Sequence, residues 1–109
     1  METFFPQDPE VRSLVQEQLL EPLAAFFTGL NAYLLGFYPQ AIEGLDAVRA
    51  KAGGSLPLAS YYLGLAYLRA GEPLAGEEAL SHFLKTVPPE RRRGAAYADA
   101  HHRLGGAPQ

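Results

Sequence analysis

The chain has 109 residues, 48% of them hydrophobic, enough for one small domain with a core of its own. Its formal net charge of −3 gives no global attraction to nucleic acid or to an anionic membrane, and the lack of cysteine excludes disulfides and thiolate-based metal or catalytic sites. No run of about 18 apolar residues occurs, and residues 1–20 lack a basic-then-apolar signal pattern, so the expectation is a soluble cytoplasmic protein that does not enter a membrane.

Asp8-Pro9-Glu10 is a good helix start: Asp can cap, Pro fits the first turn, and Glu favours the positive end of the helix dipole. Val11, Leu14, Val15, Gln18 and Leu19 then form one mostly apolar face, up to Pro22, which ends or kinks that helix. A second helix is expected over Leu23–Leu35, where Leu23, Phe26, Phe27, Leu30, Tyr33, Leu34 and Leu35 are all bulky and apolar. Gly36 and Pro39 punctuate a corner. A third helix follows to about Ala52, with Ala41, Leu45, Val48 and Ala52 on one face, and Gly53-Gly54 stops it. Ser55 is a candidate cap for a fourth helix, Leu56–Ala70, which is apolar almost all round. Gly71-Glu72-Pro73 makes the next corner, and a fifth helix runs from Leu74 or Gly76 to Val87. Pro88-Pro89 ends it, residues 90–104 can form a last, more polar helix, and 105–109 read as a flexible tail. No alternation of β type appears, so the fold class is all-α, with short connections and antiparallel neighbours.

The chain also repeats itself. At an offset of 35, Phe26–Pro39 (FFTGLNAYLLGFYP) falls on Tyr61–Leu74 (YYLGLAYLRAGEPL): aromatic pair on aromatic pair, Gly29 on Gly64, Leu30 on Leu65, Gly36 on Gly71. Beyond the corner a further shift of three residues matches Ala41, Ile42 and Leu45 with Ala79, Leu80 and Phe83, which implies an insertion within PLAGEE. Gly29 and Gly64 each cost a helix interior about 1 kcal/mol against Ala, and close approach of a paired helix is the expected compensation.

These residues resemble the tetratricopeptide repeat (TPR) family, whose units are helix–turn–helix hairpins of about 34 residues. Leu63-Gly64, Tyr67 and Gly71 sit where the family has its Leu-Gly, its Tyr and its corner Gly. In the first unit Gly29, Gly36, Tyr38 and Ala41 match, while Ala32 replaces the Tyr. Ala25 and Ser60 hold the family's bulky position, with Phe26, Phe27, Tyr61 and Tyr62 as neighbouring sources of that volume. The resemblance implies a single domain built as a short right-handed solenoid of five to six helices. An N-terminal capping helix would span 9–21, repeats 22–55 and 56–89, and a C-terminal capping helix 90–104.

The resemblance further implies a non-enzymatic interaction module, an adaptor or scaffold whose concave groove takes an apolar helix or peptide. Its groove positions correspond to Leu23, Phe26, Leu30, Tyr33, Leu34, Leu58, Tyr61, Leu65, Leu68 and Arg69. Only Arg69 is charged, which argues against the family's carboxylate-clamping variant. An open face this apolar is rare on soluble monomers. It is therefore core beneath a terminal helix, a homo-oligomer interface that makes the protein self-assembling, or the seat of another protein.

A weaker signal is basic: Arg91, Arg92, Arg93 and Arg103 make a C-terminal patch suited to nucleic acid or an acidic partner, though no nucleic-acid motif accompanies it, and a solvated helix face is the favoured reading. His101 and His102 are adjacent and diverge on a helix, and His82 is isolated, so no metal site is expected. No nucleophile stands near a base in sequence and no phosphate loop is present, so neither a catalytic residue nor a cofactor is expected.

Overall fold

The computed structural model describes residues 21–52 and 55–105. The expected helix over 9–20, the Gly53-Gly54 stop and residues 106–109 lie outside them. Among the described residues the chain is all-helical: α1 (Glu21–Leu34), α2 (Tyr38–Ala52), α3 (Pro57–Arg69), α4 (Pro73–Thr86), a 3-10 turn (Pro89–Arg91) and α5 (Ala95–Arg103). Each of the four longer helices carries a proline within its first two residues, Pro22, Pro39, Pro57 and Pro73, where the missing N–H costs nothing. Ser55 does not cap α3; the helix begins after Leu56 with no side-chain cap, and Pro57 fixes its first turn instead.

The two corners are copies of one another. Gly36 and Gly71 have φ of 87° and 84°, a conformation glycine enters without a Cβ penalty. Around them Phe37 N–H donates to the Ala32 carbonyl at 2.8 Å and Glu72 N–H to the Tyr67 carbonyl at 2.9 Å. Gly36 N–H reaches Tyr33 and Gly71 N–H reaches Leu68, completing a Schellman termination at each corner. The next helix starts two residues after each glycine, so the second corner holds no insertion. The expected three-residue shift is corrected accordingly. The offset of 35 continues, pairing the buried Ala41, Leu45 and Val48 of α2 with the buried Gly76, Leu80 and Phe83 of α4. Gly76 concealed this register: a buried glycine stands where α2 has alanine, and apolar matching skips it.

α1 packs on α2, α2 on α3 and α3 on α4, and α5 closes the end of the stack against α4 and α3. Close approach within each hairpin runs through its glycine. A Cβ on Gly29 would lie 2.9 Å from Leu45 Cγ, and one on Gly64 would lie 2.7 Å from Leu80 Cγ. The central α3 is buried on most sides, as its nearly uniform apolar sequence requires. Its Ala59, Leu63 and Ala66 join Phe26, Ala41, Leu45, Val48 and Ala79 in one cluster, while Tyr61 and Leu65 join Leu80, Phe83, Val87 and Ala100 in another. The single helix expected over 90–104 is two elements. The Pro88-Pro89 pair forces a 3-10 turn, and Gly94, extended at φ −71° and ψ 165°, restarts the chain as α5. No helix among the described residues is long and apolar enough to cross a membrane.

Candidate functional site

The ten residues expected to line one groove divide into three groups. Phe26, Tyr61 and Leu65 are buried, so they are interior rather than groove lining. Phe26 packs into the cluster between the first hairpin and α3, whereas Tyr61 and Leu65 are covered by α5, whose Ala100 packs with them while Leu104 and Tyr97 lie against the same cluster. Tyr33 is half-buried between Tyr38 and Tyr62, with ring centroids 5.9 Å from each, and Leu68 packs over Gly76. Leu34, Leu58 and Arg69 are exposed, and Leu23 and Leu30 are half-buried.

Among the described residues, what remains open is a stripe on α1. Leu23, Phe27, Leu30 and Leu34 follow i, i+4, i+7 and i+11, which places them in one line along the helix. Phe27 is 56% exposed and Leu34 69%, and the apolar surface continues past the corner at Leu35 and Phe37. Phe27 falls outside the expected groove positions, and by sequence it reads as filler for the vacant bulky position at Ala25. Phe26 supplies that volume instead, packing on Tyr62 at 6.2 Å between centroids.

The seam between α3 and α5 is held by a polar network. The Tyr61 hydroxyl donates to Asp99 Oδ2 at 2.7 Å, and Arg103 Nε donates to the same oxygen at 2.7 Å. Burial, and then the Asp99 carboxylate, push the Tyr61 phenol above its ordinary range. Burial raises Asp99, but the hydrogen bonds from Tyr61 and Arg103 outweigh it and hold the carboxyl below its usual value. A lowered carboxyl stabilises the fold fully above the ordinary carboxylate range, and that stabilisation is lost as pH falls through the lowered value. The raised Tyr61 acts oppositely: its contribution is whole below the ordinary phenol range and is lost as pH rises toward the raised value. In Tyr61→Phe, urea unfolding at neutral pH should show a loss of about 1 kcal/mol, held down by the partial exposure of Asp99. The loss should shrink as pH falls below the ordinary carboxylate range and Asp99 takes up its proton. An identical loss at neutral and acid pH would assign it to packing instead.

The basic patch also divides. Arg92 Nε donates to the Val87 carbonyl at 3.2 Å, and Arg103 is bound to Asp99 at the far end of α5, about 13 Å of helix away from the 3-10 turn. Arg91 and Arg93 are exposed and, among the described residues, have no ion-pair partner. The sequence also concealed a contact of nucleophile and base: Ser60 Oγ and His82 Nδ1 share a hydrogen bond at 2.8 Å, across 22 residues and with no local motif. Ser60 is fully buried, so its hydroxyl reaches no substrate and the pair ties α3 to α4. His101 rests on Tyr97 and His102 is exposed, diverging as their adjacency requires. Among the described residues no group of three His, Asp or Glu side chains is placed to hold a metal. No family model matches the chain, and neither a curated protein nor a solved structure matches it.

Proposed function

We propose that this chain is a non-enzymatic protein-binding module of the tetratricopeptide kind, an adaptor that seats an apolar helix or peptide of another protein along α1. The family reading is supported by two hairpins that repeat at a constant offset of 35 with duplicated glycine corners. The observation that carries the function is the stripe of Leu23, Phe27, Leu30 and Leu34. Two of its large side chains are more than half exposed, while Phe26, Tyr61 and Leu65 of the expected groove lie inside the stack. Water contact on such a line is unfavourable by about 25 cal/mol per Å², so a partner's apolar face that displaces that water gains free energy. Half-buried Leu23 and Leu30 are already ordered by packing, which lowers the entropic cost of docking. Arg69, exposed in the last turn of α3, supplies a charge at the rim for orientation.

The test is affinity capture from source cells with wild type beside Phe27→Asp/Leu34→Asp. Both positions are surface, so the double variant should keep its helical circular dichroism and lose the captured protein. Retention of the same protein by the folded variant would move the interface off α1. If sedimentation velocity shows a wild-type dimer that the double variant dissociates, the occupant of the stripe is a second copy of the chain.

A further inference from the structure

A cavity of about 460 Å³ opens where the starts of α3 and α5 meet the end of α4. It lies away from the α1 stripe and shares no residue with it. Its wall is apolar: Leu58, Val87 and Tyr97 line it over the buried ring of Phe83. Its mouth is charged by Arg91, Arg93 and Glu90, all exposed. The two arginines outnumber the one acid, and no described carboxylate pairs with either. The first turns of α3 and α5 form part of the wall, and neither helix has a side-chain cap, so the positive ends of both dipoles add to the arginine charge.

We infer that this cavity is a second docking site, for an acidic peptide segment of a partner that inserts a bulky aliphatic or aromatic side chain. The apolar wall takes the side chain, and Arg91 and Arg93 take an adjacent carboxylate in bidentate fashion. A peptide fits better than a small free ligand because the charged groups stand outside on the rim. An enclosed ligand would be buried on most of its surface, whereas a chain crossing the rim meets both chemistries at once. A nucleic acid would use the arginines but gain nothing from the Leu58 wall, and of the two rings there Phe83 is buried, which leaves Tyr97 alone for stacking rather than a row of rings.

The probes are fluorescein-labelled hexapeptides in which Glu or Asp flanks a single Leu, Ile or Phe, with Lys-flanked and Ala-centred versions as controls and a labelled oligouridine for comparison. Fluorescence anisotropy with the full chain should show binding of an acidic, apolar-centred peptide that weakens at least tenfold in Arg91→Glu/Arg93→Glu and at least threefold in Leu58→Ala. Phe27→Asp/Leu34→Asp should leave it unchanged, which separates this site from the stripe. The arginine variants replace exposed, unpaired side chains and should keep wild-type circular dichroism. The proposal is overturned if none of the acidic peptides binds up to millimolar concentration, if Ala-centred peptides bind equally well, or if the arginine variants bind with unchanged affinity. Oligouridine binding that depends on the arginines and ignores Leu58→Ala, with no peptide binding, would reassign the patch to nucleic acid.

Discussion

Gly64→Val should lower the unfolding free energy by roughly 3 kcal/mol or more, a large share of the 5–15 kcal/mol that holds a typical domain together. In an exposed helix, replacing Gly by Ala gains about 1 kcal/mol, so the sign of the effect at this position tests the packing directly. A Cβ on Gly64 would stand 2.7 Å from Leu80 Cγ and 2.8 Å from its Cδ2, inside the usual carbon contact of about 3.5–4.0 Å. Leu80 is 1% exposed and has nowhere to swing. The same Cβ would lie 3.1 Å from the Gly76 carbonyl oxygen, and a Cβ on Gly76 would lie 3.1 Å from the Gly64 oxygen. The two glycines thus face each other backbone to backbone, and a backbone atom yields only if α3 and α4 move apart. Gly64→Ala should already destabilise, because overpacking of about 1–3 kcal/mol exceeds the gain in helix propensity. Gly29→Ala should cost less, since its closest side-chain contact, Leu45 Cγ, is 2.9 Å away rather than 2.7 Å and its nearest backbone atom 3.3 Å rather than 3.1 Å. Urea unfolding of the three variants ranks them. A stabilising Gly64→Ala would mean that the helices do not approach this closely.

Leu65→Asp should cost as much as or more than Gly64→Val. Leu65 is 8% exposed and packs with Phe83, Val87 and Ala100 beneath α5. An aspartate there gives up the burial of a leucine, about 2–3 kcal/mol, and adds a carboxylate with no cation of its own. The network alongside is already committed: Arg103 is held by Asp99, which also accepts from Tyr61. The new charge either stays unpaired in the interior or pushes α5 off α3, and either route removes most of the stability of the second hairpin. Leu34→Asp is the surface counterpart. Leu34 is 69% exposed in the last turn of α1 and has little burial to lose.

The helices and their corners were legible because their signals are local. Gly36 with Pro39, and Gly71 with Pro73, state where one helix stops and the next begins, and the apolar residues between them follow the helical period. The mid-helix glycines were legible for the same reason: Gly29 and Gly64 make little sense in a helix unless another backbone comes close. The register of the second hairpin was not legible beyond Gly71, because Gly76 substitutes for an alanine and breaks the match of apolar residues. The division of the groove was not legible either. Leu30 and Leu65 are leucines at equivalent positions of equivalent helices, and the crossing of α5 over α3 makes the second interior while the first stays half-buried. That crossing depends on Tyr61 finding Asp99 across 38 residues and on Gly94 restarting the chain, features that no periodicity encodes.

In this fold α5 closes the face of the second hairpin, and the apolar surface left among the described residues lies on α1. Parallel urea unfolding of Leu34→Asp and Leu65→Asp tests it most directly. Leu34→Asp should stay within about 0.5 kcal/mol of wild type, while Leu65→Asp should lose several kcal/mol or fail to unfold cooperatively. Equal, small effects at both positions would contradict it and reopen the groove along both helices.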